Sequence, residues 1–122
     1  MLGAPVSILR SFDEARAKAF YLGYLGFELV FEHRFEPGLP LYMGIRRDGC
    51  VLHLSEHHGD ATPGSALRIP CDDVDAFIAS LPTDYGNARP GLPEATPWGS
   101  REITVVDPAS NRLTFFTEGP HG

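Results

Sequence analysis

At 122 residues, with 43% hydrophobic and 21% charged side chains, the chain has the apolar content of one folded domain and not the composition of a disordered polymer. Ten Lys and Arg against 16 Asp and Glu give a formal net charge of −6, which excludes the basic field of a nucleic-acid groove and is compatible with a cationic ligand. No run approaches the ~18 apolar residues of a membrane-spanning helix, so no membrane partner is expected.

Residues 5–9 read as a short strand. Ser11-Phe12-Asp13-Glu14 has the S-x-x-E spacing of a capping box, and its two acids suit a positive helix N-terminus. The helix runs through Ala15, Ala17, Ala19, Phe20 and Leu22 and stops at Gly23 to Gly26. Residues 27–35, rich in aromatic and β-branched side chains, predict a second strand, followed by the loop Glu36-Pro37-Gly38-Leu39-Pro40. A third strand at 41–46, the turn Arg47-Asp48-Gly49 and a fourth strand at 51–56 complete a β-α-β-β-β unit.

Gly59-Asp60-Ala61-Thr62-Pro63-Gly64 is a breaker-rich linker, after which the same order begins again. Residues 66–69 predict a strand and Asp72 an N-cap. Val74, Phe77, Ile78 and Leu81 follow at amphipathic helical spacing, closed by Pro82. Prolines and glycines crowd the next stretch and leave room for only a short strand near 85–89. Ile103 to Val106 and Leu113 to Phe116 then form a hairpin around Asp107-Pro108-Ala109-Ser110-Asn111. The reading is an α+β fold: one domain, 1–122, built of two β-α-β-β-β modules, 1–58 and 65–119, whose curved mixed sheets pair around a cup.

Cys50 and Cys71 lie 21 positions apart with no CxxC, a poor zinc spacing, and read as unpaired core thiols. With no charged region and long apolar run in residues 1–10, the expected location is cytoplasmic. No catalytic residue is assigned, because no nucleophile–base spacing and no Gly-rich phosphate loop is present. His53 reads either as a general base or as an inward histidine hydrogen-bonded to a Thr or Ser. Glu32, His33, Arg34 and Glu36 read as a solvated strand edge, and Asp72, Asp73 and Asp75 as the acidic start of a helix.

Pro97-Trp98-Gly99 and the hairpin after it resemble the C-terminal hairpin of bleomycin resistance proteins, within the glyoxalase/dioxygenase (vicinal oxygen chelate) superfamily. Phe20-Tyr21 followed by Leu25-Gly26-Phe27 matches that family's helix exit, and the similarity spans nearly the whole chain. The superfamily contains metalloenzymes and metal-free drug binders. The resemblance implies four metal-ligand positions, on the first and last strands of each half. They fall at or near Val6, on His53, at or near Ala66, and on Thr114, so neither a metal nor another cofactor is expected. Glu56, His57 and His58 are suited only to an adventitious surface metal.

The same resemblance implies a ligand site. Phe31, Phe35 and Trp98 match aromatic positions of the antibiotic-binding relatives, and Tyr42, His53 and Thr114 complete the candidate ligand-binding set. By position alone Phe31 reads as core and Trp98 as a pocket wall. The segment before Pro97 is shorter than in those relatives, and Arg34, Arg46, Arg68 and Arg89 offset their acidic groove. The function implied is sequestration, without metal, of a small aromatic and in some cases cationic antibiotic-like molecule at a homodimer interface. Pro5 is placed to bend an exchanged N-terminal arm. The alternatives are a glyoxalase- or dioxygenase-like enzyme with a non-standard site around His53, and a non-catalytic structural or partner-binding subunit.

Overall fold

The computed structural model describes residues 1–82 and 91–119. Its strands are β1 (Ser7–Arg10), β2 (Glu28–His33), β3 (Tyr42–Arg47), β4 (Cys50–Ser55), β5 (Ala66–Pro70), β6 (Glu94–Ala95), β7 (Ser100–Val106) and β8 (Arg112–Glu118). Helix α1 (Glu14–Lys18) follows β1, and α2 (Val74–Ala79) follows β5. Two four-stranded sheets result, ordered β1-β4-β3-β2 and β5-β8-β7-β6. In each, the first and last strands of the half pair parallel and the other neighbours antiparallel. This α+β arrangement is the predicted β-α-β-β-β unit written twice.

Both helix starts differ from the sequence reading by a residue or two, for one reason. Ser11 donates its backbone N–H to Ser55 O at 2.8 Å, extending the β1–β4 pairing, and the helix begins only at Glu14. Asp13 caps instead, accepting from Arg16 N at 3.0 Å. Likewise Cys71 N–H pairs with Phe116 O, and Asp73 rather than Asp72 caps α2, accepting from Ala76 N at 3.1 Å.

The first helix also runs on past α1 as a wider π-helical turn, Ala19–Tyr24, closed by Leu25 N–H on Phe20 O. That turn keeps Phe20, Tyr21 and Tyr24 all buried. Strand β6 lies at Glu94–Ala95; the expected strand at 85–89 falls outside the described residues.

Alternation along the strands separates two faces of each sheet. Leu9, Met43, Ile45, Leu52 and Leu54 join Phe20, Tyr21 and Leu25 on the buried side of the first sheet. Ile69, Ile103, Val105, Leu113 and Phe115 do the same with Val74 in the second. All belong to one continuous core, where each fully buried large side chain contributes about 1.5–3 kcal/mol.

The turns tie the halves together crosswise. Asp107, in the β7–β8 turn, accepts from the Tyr21 hydroxyl at 2.6 Å. It also accepts from Asn111 Nδ2 and from the backbone N–H groups of Ala109 and Asn111. Asn111 Nδ2 further donates to Arg10 O at 2.9 Å. Burial, with the Asp107 carboxylate second, holds the Tyr21 phenol proton far above the ordinary tyrosine range. In the opposite direction Arg47, at the β3–β4 turn, stacks its guanidinium 4.7 Å from the Phe77 ring centre and donates to Leu25 O at 2.6 Å.

Candidate functional site

The face of the first sheet turned away from the core carries rings. Across it, register sets Ile8 beside His53, His53 beside Gly44, and Gly44 beside Phe31. A β-bulge in β2 between Leu29 and Phe31 makes this possible, because Leu29 pairs with Ile45 but Phe31 pairs with Gly44. The bulge moves Phe31 to the open face, where it is 40% exposed, and corrects the expectation that it is core. Gly44 is the floor under it: a Cβ there would collide with the Phe31 ring.

Tyr42 lies nearly parallel to Phe31, at 15° and 6.2 Å between centres, and both stand steeply to the His53 ring. The Tyr42 hydroxyl meets His53 Nδ1 at 2.7 Å, so the inward histidine has a tyrosine partner rather than the expected Thr or Ser. Burial, and then the Asp60 carboxylate, push the Tyr42 phenol up, so it keeps its proton. Phe35, beyond the end of β2, is 75% exposed and stands edge-on to His33 and His57.

The matching face of the second sheet is polar and satisfied. Thr114 pairs with Thr104, their hydroxyls 2.8 Å apart, and lies beside Arg68 in register. Arg68 forks onto Glu102 at 3.1 and 2.5 Å and stacks over Phe116 at 4.4 Å. The hydrogen bonds from Arg68 lead, with Ser100 and Trp98 adding theirs, in depressing the Glu102 carboxyl to about 2. Trp98 sits at the tip of a turn that Thr96 and Ser100 close, with Gly99 at φ 93°. Its indole is 66% exposed, and Nε1–H donates to Glu102 at 3.1 Å.

Of the six candidate ligand residues, Phe31, Tyr42 and His53 form one contacting group, with Phe35 at the far end of the same strand system. Trp98 and Thr114 stand on the second sheet, and among the described residues no hydrogen bond or ring contact joins them to that group. Glu102, which orients Trp98, was missed by sequence reading; its only signal was lying four residues after the Trp. Arg34 is not on the ring face, since it pairs with Glu14 and donates to Leu39 O. Arg46 lines a separate polar hollow of about 580 Å³ with Glu28, Arg47 and Asp48. Arg89 lies outside the described residues.

The sequence profile of the family described as glyoxalase superfamily protein matches residues 2–121. The chain belongs to the glyoxalase superfamily. No curated protein matches it. Among solved structures, the superfamily chain is similar to the bleomycin-binding protein of bleomycin-producing Streptomyces verticillus, solved with copper(II)-bleomycin. Identity is 34%, TM-score 0.67, and coverage 98% of this chain and 97% of that one. It is also similar to a bleomycin resistance determinant encoded on the transposon Tn5, at 26% identity and TM-score 0.70, covering 96% and 98%. The antibiotic-binding protein TnmS3 of Streptomyces sp. CB03234 shares the fold at 24% identity and TM-score 0.69, covering 98% and 99%.

Superfamily enzymes hold a divalent metal on the first and last strands of each half, and the residues here do not fit one. Val6 precedes β1 and the residue beside His53 is Ile8; neither offers a donor atom. Ala66 has none, and the residue beside Thr114 is Arg68, a cation. Thr114 is engaged by Thr104, and His53 Nδ1 by Tyr42. Among the described residues no three His, Cys, Asp or Glu side chains are grouped to hold an ion. The nearby Glu56 is occupied, accepting from Leu41 N at 2.9 Å.

The two thiols are free and half-buried, and burial pushes that of Cys50 up. No helix among the described residues is long and apolar enough to cross a membrane.

Proposed function

We propose that this chain is a small-molecule binding protein of the bleomycin-resistance type. It would sequester a planar aromatic ligand, cationic ones included, without a metal, in a cleft between two copies of the chain. The observation that carries the reading is the contacting group Phe31, Tyr42 and His53 on the open face of the first sheet. Partly exposed rings in mutual contact are an incomplete stack. A flat ligand laid on them removes apolar area from water and adds about 0.5–1.5 kcal/mol of ring–ring interaction per pair. The two similar structures named for bleomycin binding or resistance support the same class.

A second copy supplies what one chain lacks. Val6, Ile8, Leu29, Val30 and Trp98 are exposed apolar side chains that a twofold contact would cover. Residues 1–6 precede β1 and are exposed, as an arm reaching a neighbour would be.

The test is titration calorimetry of the whole chain with metal-free bleomycin, copper(II)-bleomycin and planar aromatic antibiotics, before and after chelator treatment. Stoichiometric binding of at least one ligand that survives chelation is expected. No binding across the set, or binding that disappears with a stripped zinc, nickel or iron, overturns the proposal. Sedimentation at micromolar concentration should give twice the 13.3 kDa chain mass, and a monomer alone would remove the shared cleft.

A further inference from the structure

We propose that the Tyr42–His53 pair makes this face selective for planar aromatic ligands bearing a hydrogen-bond acceptor, such as a carbonyl oxygen or ring nitrogen, over hydrocarbon rings of the same shape. The inference rests on the binding function proposed above and names the chemistry of its ligand.

His53 stands mid-strand between Ile8, which is apolar, and Gly44, which has no side chain. Its one polar partner among the described residues is the Tyr42 hydroxyl on Nδ1. The phenol–imidazole contact fits either tautomer, and the proposed one has the Tyr42 hydroxyl donating to Nδ1. Nδ1 is then the acceptor, and the imidazole proton resides on Nε2. Among the described residues Nε2 has no partner, and no buried side-chain nitrogen or oxygen is left unpaired, so Nε2–H is open to the face. In this tautomer the tyrosine makes an ambivalent ring a donor toward the open face.

Phe31 and Tyr42 set the plane in which a flat ligand stacks, and that plane stands at the same steep angle to the imidazole as they do. A ligand with an acceptor answers Nε2–H. A hydrocarbon ring strips water from it and leaves it unpaired, and that cost is what discriminates. The equivalent residue of the second sheet, Thr114, makes no such demand, because Thr104 already satisfies it.

The probes are 2-acetylnaphthalene and 2-ethylnaphthalene, alike in shape and differing in the carbonyl, titrated into the full chain at pH 8. The ketone is expected to bind about tenfold more tightly, the low end for an unpaired, half-exposed donor. His53→Leu should erase the preference and Tyr42→Phe reduce it. Long-range ¹H–¹⁵N spectra of the unmutated chain should show the His53 proton on Nε2. Equal affinities for the two probes, or a proton on Nδ1, overturn the selectivity while leaving the binding function standing. Binding of neither probe removes the aromatic site itself and the inference with it. The wild-type titrations and spectra decide the matter even where a variant fails to fold.

Discussion

The two sheets share strand order and register but present opposite chemistry on their open faces. Gly44 and His53 of the first occupy the places of Thr104 and Thr114 in the second, and Ile8 that of Arg68. On the buried faces the copies agree: Met43, Ile45, Leu52 and Leu54 correspond to Ile103, Val105, Leu113 and Phe115. On the open faces they diverge. The second closes its polar groups on one another, Arg68 with Glu102 and Thr104 with Thr114, while the first carries an exposed Phe31 ring beside the half-buried rings of Tyr42 and His53. A duplicated scaffold therefore keeps its core constant while its two open faces differ in chemistry. Under the proposed function, ligand recognition is concentrated on the first sheet.

The turns show the same inequality, and the largest expected effect tests it. Asp107 is buried and receives four hydrogen bonds from Tyr21, Asn111 and Ala109, whereas Arg47 makes one stack and one hydrogen bond from a partly exposed site. Asp107→Ala should cost about 3–4 kcal/mol in urea unfolding, because several buried donors lose their acceptor together. Arg47→Ala should cost about 1–2 kcal/mol. Equal costs would mean that the two crossings are interchangeable.

Binding sharpens the comparison next. Phe31→Ala and Trp98→Ala should each weaken a stacked ligand by about 1–3 kcal/mol in calorimetry. Trp98 is 66% exposed, so its loss should move the melting temperature of the free protein little, whereas loss of Phe31, 40% exposed, should lower it modestly. If Trp98→Ala leaves affinity untouched, the ligand uses the first sheet alone.

Gly44→Ala isolates the floor of the site. The added methyl collides first with the Phe31 ring, a side chain that can swing away, so stability should fall by about 1 kcal/mol, the low end for overpacking. The ring would nonetheless leave its place beside Tyr42 and His53. Ligand affinity should therefore drop more than stability does, and the reverse order would show that Gly44 serves packing.

The architecture was legible because apolar periodicity and breakers are local signals: Val74, Phe77 and Leu81 mark a helix, and Gly59 to Gly64 a boundary. The caps were displaced because the parallel pairings of Ser11 and Cys71 are set by distant strands. Strand β6 was missed because two residues carry no periodicity. Phe31 was misread because the bulge in β2 breaks the alternation on which face assignment rests, and no residue announces it. The family resemblance pointed to His53 and Trp98 but not to what holds them. Tyr42 reaches His53 from the adjacent strand, and the Glu102 carboxylate gathers Arg68, Ser100 and Trp98.

That last gathering supports the smallest prediction, which distinguishes the closed face from the open one by pH. The hydrogen bonds from Arg68 are the main reason the Glu102 carboxyl is depressed to about 2. A carboxyl whose folded value lies below its unfolded value stabilises the fold above the unfolded value, ordinarily about 4.3, and loses that contribution as pH falls through the folded value. The relevant window is therefore pH 4.5 down to about 2, and neutral conditions should show nothing. Trp98 is the only tryptophan, and its indole N–H rests on this carboxylate, so its fluorescence reports the event directly. A transition with a midpoint near 2 is expected, preceding or coinciding with acid unfolding. Glu102→Gln should remove the titration while keeping a carbonyl oxygen for the indole. A transition near 4.3, the value of a free carboxyl, would show that Arg68 does not hold Glu102 in solution, and the second face would then be as open as the first.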